Sequence, residues 1–170
     1  MILTAYLGVV LFIDLEHRLI LHPTSMVGAI IGLISGTLAH GFADSIMGGL
    51  GGLLIMLVFY FIGTGFARFR ARRMRLAGLE PDDEEALGAG DVILVTILGL
   101  TLGWPLIWFG LLLGILLGGA VSLLIVLWLV VKRRYGQNAL MMFIPYGPYF
   151  IVSAYVIIFF PGLVSRLLPA

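Results

Sequence analysis

Nine carboxylates are spread unevenly along the chain. Five fall in one run, Glu80, Asp82, Asp83, Glu84 and Glu85, and Asp44 stands in a separate short polar stretch. The remaining three, Asp14, Glu16 and Asp91, sit at the ends of apolar segments, where a charge is expensive and is by default a candidate for function. Asp14 closes Phe12-Ile13-Asp14, and Asp91 follows Gly88-Ala89-Gly90 and opens another apolar segment. Two aspartates from separate helices, on one face of a membrane, can converge. Such a pair has the parts for peptide hydrolysis: one carboxylate activates water as base, and the other protonates the substrate. The pair titrates together, with one pKa raised. Plainer roles stay open for both: Asp91 as a helix cap, Asp14 as an ordinary interface residue. Gly88 and Gly90 add to the case, because they permit an extended or left-handed backbone. They also leave an open surface beside Asp91 where a peptide could approach.

The elements that would position these residues are membrane helices. Of 170 residues, 61% are apolar and 11% charged, and the mean hydropathy is +1.15. A soluble domain would carry roughly a quarter charged residues. A water-soluble globular domain and a disordered chain are both excluded. An all-α polytopic protein with about six transmembrane helices is expected. The spans read as about 1–13, 25–39, 45–66, 91–103, 106–131 and 146–160. They form one membrane-embedded core over 1–170, with a hydrophilic loop at about 67–90. The first span is short: at ~1.5 Å rise it covers ~20 Å of a ~30 Å hydrocarbon core. It lacks a basic start and a small-residue cleavage site, so it does not read as a signal peptide. Locally thinned lipid, or a chain cut from a longer one, would account for its length, and the sequence leaves open whether Met1 is the native start.

Charge fixes the orientation. Arg18, Arg68, Arg70, Arg72, Arg73, Arg75, Lys132, Arg133 and Arg134 fall on one side of the six-span reading, and only Arg166 on the other. By the positive-inside rule the first side is cytoplasmic and both termini lie outside. The loop 67–90 is basic from Arg68 to Arg75 and acidic from Glu80 to Glu85. Either the arginines sit against anionic headgroups and the acids are solvated, or the acids attract a basic substrate segment. Gly28, Gly32 and Gly36, and again Gly110, Gly114 and Gly118, recur every four residues, as close helix packing requires. Tyr60, Trp104, Trp108, Trp128 and Tyr135 read as interfacial aromatics. The chain has no cysteine, which excludes disulfides, thiol catalysis and thiolate metal sites. Its three histidines are scattered and suggest no metal site; no metal or organic cofactor is expected, since a carboxylate pair is sufficient to activate water, and nothing suggests nucleic acid.

Taken together these motifs resemble a known family. Glu85-Ala86-Leu87-Gly88-Ala89-Gly90-Asp91-Val92 resembles the GxGD motif of membrane aspartic proteases, and more narrowly that of the type IV prepilin leader peptidases. The Leu102-Gly103-Trp104-Pro105 turn after the next helix is similar to the family's. So is the context of the other aspartate, Ile13-Asp14-Leu15-Glu16-His17-Arg18-Leu19-Ile20, and so is Ile144-Pro145-Tyr146-Gly147-Pro148 near the C-terminus. The resemblance implies a prokaryotic plasma-membrane endopeptidase, with Asp14 and Asp91 as the catalytic pair and Gly147 and Pro148 as structural supports. Its substrate would be a prepilin or pseudopilin-like protein, cut behind its basic leader at the cytoplasmic membrane face. Lipid would be its other partner, and no oligomeric state is implied.

The chain departs from the family pattern in three places. Ile93 stands where a Lys usually follows the GxGD aspartate, and a missing cation would tend to raise the pair's pKa. Pro23 lies about two positions further from Asp14 than is typical of the family. The paired cysteines of the family's cytoplasmic domain are missing, so neither zinc nor methyltransferase activity is carried over. An inactive peptidase-like scaffold or assembly subunit is the alternative reading. A proton-coupled carrier would instead want acids near the membrane midplane on broken helices.

Overall fold

The computed structural model describes residues 2–17, 22–76, 88–132 and 146–162. They form six α-helices and, among the described residues, no strand. The helices are α1 (Ile2–His17), α2 (His22–His40), α3 (Phe42–Leu76), α4 (Ala89–Leu102), α5 (Leu106–Val131) and α6 (Gly147–Phe159). All six expected spans are present as helices, and the chain is a polytopic all-α membrane protein. In α3 and α5 the apolar stretch is long enough to cross a bilayer, while α2, α4 and α6 are shorter apolar helices.

Two boundaries differ from the sequence reading for the same reason. The third span was expected to end at residue 66, with a loop from 67, but α3 continues to Leu76 and carries all five arginines of its basic run. Hydropathy marks where a helix leaves lipid, not where it stops. Arg, Ala, Met and Leu are good helix formers, and the segment 66–76 contains neither Gly nor Pro. Likewise Asp14 does not close α1, which runs on to His17. The acidic half of the loop, Glu80 to Glu85, lies outside the described residues, as do Arg18, Arg133, Arg134, Tyr135, Pro145 and Arg166.

α4 is the centre of the bundle. It packs against α2, α3, α5 and α6, whereas α1 packs against α2 and α6. Val92, Leu94, Val95, Ile97, Leu98 and Leu102 of α4 are buried, as expected of a helix that is apolar all round. Glycines bring the neighbouring backbones onto it. A Cβ at Gly32 would stand 3.0 Å from the Ile97 carbonyl oxygen, and one at Gly36 would collide with that of Leu100. On α3, Gly48 faces Gly99, and a Cβ at Gly52 would lie 2.9 Å from the Val95 carbonyl oxygen. The recurring glycines of α2 and α5 therefore serve packing: Gly28 receives Tyr6, Gly110 the Leu102 and Ile157 side chains, Gly114 Phe150 and Gly118 Tyr146. The Gly48, Gly52 and Gly99 seam, in which glycines of α3 and α4 meet directly, is an addition to the glycines that the sequence spacing marks.

These contacts give the helix directions. α2 runs parallel to α4, since Gly32 meets Ile97 and Gly36 meets Leu100. α3 runs antiparallel to α4, since Gly48 meets Gly99 and Gly52 meets Val95. α5 and α6 are antiparallel, and the Tyr155 hydroxyl near the far end of α6 donates to the Thr4 carbonyl at the start of α1, 2.7 Å away. The C-terminal ends of α1, α3 and α5 thus share one end of the bundle with the N-terminal ends of α2, α4 and α6. That end carries Arg68 to Arg75 and Lys132.

The opposite end is closed by the Gly103-Trp104-Pro105 turn. Gly103 has φ 72°, a left-handed conformation that favours glycine. The Trp104 N–H donates to the Asp44 carbonyl at 3.1 Å. His40 Nε2 is 3.1 Å from the Thr101 carbonyl oxygen. Trp104 and Trp108 are exposed near this end, and Trp128 near the other, where the Lys132 ammonium lies 4.7 Å from its ring centroid. These three fit interfacial positions. Tyr60 does not: it is partly buried against the core, one turn beyond the buried Met56.

Candidate active site

Asp91 lies in the first turn of α4. Gly88 is the N-cap, with φ −74° and ψ 143°, and its carbonyl accepts the Asp91 N–H at 3.1 Å. The carboxylate is therefore on the third helical residue and not at the cap position. Asp91 is half-buried, and the next residue, Val92, is buried in the core. The anchored Val92 and the Thr96 hydroxyl, which donates to the Val92 carbonyl at 2.8 Å, fix the first turn that carries the acid.

The two glycines ahead of Asp91 do only part of what the sequence suggested. Gly88 is extended at negative φ, a conformation open to any residue, and Gly90 is already helical. Neither uses the left-handed region. Among the described residues, a Cβ at Gly88 would meet nothing nearer than the Gly90 nitrogen at 3.9 Å.

Asp14 stands on the last turn of α1, at the same end of the bundle as Asp91. Its side chain and that of Glu16 lie outside the described set, and α1 reaches the centre of the bundle through α2 and α6. Gly147 and Pro148 open α6 at this end as well. Gly147 is buried, Pro148 occupies the first turn where a missing N–H costs nothing, and the Tyr146 carbonyl accepts the Tyr149 N–H at 3.0 Å and the Phe150 N–H at 3.2 Å. Among the described residues no group of His, Cys, Asp and Glu could hold a metal.

The α3–α4 register sets the level of Asp91. Gly48 opposes Gly99 and Gly52 opposes Val95, so one further turn on each helix sets Met56 opposite Asp91. Met56 and Val92 both belong to the buried core, which agrees with that step. Arg68 is twelve residues beyond Met56, which along a straight helix is about 18 Å. Asp91 is thus recessed from the basic end of α3. The sequence reading set both acids at the membrane edge; what it could not see is that α4 begins well short of its neighbour. The same register sets Tyr60 about one residue beyond the level of Gly88.

No curated protein and no solved structure matches the chain. A sequence model of the type IV leader peptidase family matches residues 1–123, a stretch that includes Asp14, Gly88, Gly90, Asp91 and the Leu102-Gly103-Trp104-Pro105 turn. With a match over more than half its length, and with the six-helix membrane bundle described above, the chain belongs to the type IV leader peptidase family.

Proposed function

We propose that this peptidase-family chain is a GxGD-type aspartic endopeptidase, in which Asp14 and Asp91 share one proton. The observation that carries this reading is that α1 and α4 present an aspartate each at the same end of the bundle, the second on an anchored, glycine-flanked first turn. In the reaction the ionised carboxylate takes a proton from water, and the water oxygen attacks the scissile carbonyl carbon. The protonated carboxyl donates to the carbonyl oxygen, giving a tetrahedral intermediate. Its collapse breaks the C–N bond: the departing nitrogen takes the proton first removed from water, and the proton lent to the carbonyl oxygen returns to its carboxylate as the C=O bond re-forms. The products are a leader with a new carboxylate and a protein with a new α-amino group.

The substrate is a prepilin or pseudopilin-like protein. A basic leader followed by an apolar helix suits a bundle whose basic end meets the leader while Asp91 lies recessed below it; that end would be the cytoplasmic face of the prokaryotic inner membrane. The whole chain acts as one membrane core. The test is leader cleavage of a prepilin by purified protein: Asp14→Asn and Asp91→Asn should each abolish it at unchanged membrane levels. Cleavage at the wild-type rate by either variant would overturn the pair. Ile93, in place of a cation two residues after Asp91, favours the second reading, a scaffold without activity. Absence of cleavage by the wild-type chain in the same assay would select it.

A further inference from the structure

The last turns of α3 carry five arginines, and they do not share a face. At 100° per residue, Arg68, Arg72 and Arg75 follow i, i+4, i+7 spacing and fall within one narrow stripe, while Arg70 and Arg73 point to the other side. An open depression lies along the stripe, and its described lining, Gly65, Arg68, Phe69, Ala71, Arg72 and Arg75, comes from α3 alone. Among the described residues a Cβ at Gly65, at its membrane end, would meet nothing within 4 Å. Arg73 is turned over the Phe69 ring, 5.5 Å from its centroid. Among the described residues none of the three stripe arginines has an anionic partner.

The position of the depression says what fills it. From Ser45 to Phe66 α3 is an uncharged run of 22 residues, about 33 Å long, which matches a ~30 Å hydrocarbon core. Arg68 therefore emerges at headgroup level, and Phe66 and Phe69, both exposed, flank it as interfacial rings do. A guanidinium fork matches a phosphate oxygen pair. We infer that the Arg68, Arg72 and Arg75 stripe is a binding site for the phosphate headgroup of an anionic membrane lipid, with the acyl chains lying along α3 below Gly65. This site is separate from the aspartates and does not depend on the peptidase reading.

Thermal unfolding of the detergent-purified full chain tests it, with dioctanoyl phosphatidylglycerol, dioctanoyl phosphatidylcholine and inorganic phosphate as three probes. Phosphatidylglycerol should raise the Tm in a saturable manner, because a ligand of the folded state stabilises it. The zwitterionic lipid and inorganic phosphate should do so weakly or not at all. In R68Q/R72Q/R75Q the apparent affinity for phosphatidylglycerol should fall on the order of 100-fold, from three lost cations at the surface. R70Q/R73Q, which removes two charges from the other side, should keep the response. Should the triple variant fail to fold, R72Q alone carries the test, with a loss of about fivefold. Equal stabilisation by inorganic phosphate would make this a free-anion site and overturn the lipid assignment. Equal losses in R70Q/R73Q and R68Q/R72Q/R75Q would reduce it to diffuse charge attraction and overturn the site.

Discussion

Gly48 and Gly99 meet backbone to backbone: a Cβ on either would fall onto the carbonyl of the other, and one at Gly99 would also stand 2.8 Å from the Gly48 carbonyl carbon. Beside them the Ser45 hydroxyl, fully buried, donates to the Leu100 carbonyl at 2.6 Å. The seam leaves no flexible side chain to move aside. Gly99→Ala and Gly48→Ala should each destabilise the protein by about 1–3 kcal/mol through overpacking. Gly119→Ala, at a site with nothing within 4 Å of the added Cβ, should be neutral. Thermal unfolding in one detergent would measure all three.

If Asp14 and Asp91 act as one unit, their losses will not add. The double variant Asp14→Asn/Asp91→Asn should be about as inactive as either single one. Asn keeps the shape of Asp and its hydrogen-bond acceptor, so a merely structural aspartate would tolerate it. Glu16→Gln should retain most activity, because residues two apart on a helix do not share a face. Prepilin processing followed by gel shift, at matched membrane levels, measures the set. Loss with Glu16→Gln and not with Asp14→Asn would assign the first acid to Glu16.

Ile93 offers a handle on the acid limb of the reaction. A cation near the pair favours ionised carboxylate and lowers its pKa. Ile93→Lys should therefore move the acid limb of the cleavage pH profile to lower pH. An unchanged profile would mean that the ammonium, two residues from Asp91, is held away from the carboxylates.

Orientation can be read from single cysteines, since the chain has none of its own. With Asp83→Cys and Ala43→Cys placed in separate variants, a membrane-impermeant thiol reagent applied to intact cells should label the second and spare the first. The reverse pattern would turn the bundle over and move the aspartate end away from the cytoplasm.

Much of this architecture was legible in the residues. Six apolar runs give six helices, and Asp91 opens α4 as Gly-Ala-Gly-Asp suggested, because lipid imposes helices wherever uncharged runs are long enough. What stayed hidden depends on partners. The extension of α3 past Phe66 is a matter of helix propensity, to which hydropathy is blind. The Gly48–Gly99 seam needs two helices to be seen at once; the spacing of glycines along α3 does not reveal which neighbour they admit. The recess of Asp91 likewise follows from the offset between α3 and α4, and no single segment contains it. The Asp14 side chain lies outside the described set; the place of α1 in the bundle sets which end it occupies, and the resemblance carried by Ile13 to Ile20 supplies its expected role.

The unequal lengths of α3 and α4 have a bearing on solvent. α4 has 14 residues, about 21 Å, against a ~30 Å hydrocarbon core, and its shortfall is at the basic end. Around it α3 and α5 continue, so among the described residues the basic end of the bundle is stepped, with two longer helices beside a shorter central one. Hydrolysis consumes a water molecule for every bond cut, and the bilayer interior holds almost none. On the proposed peptidase reading, water would reach Asp91 from the basic end, along this step between the described helices, and not through the lipid.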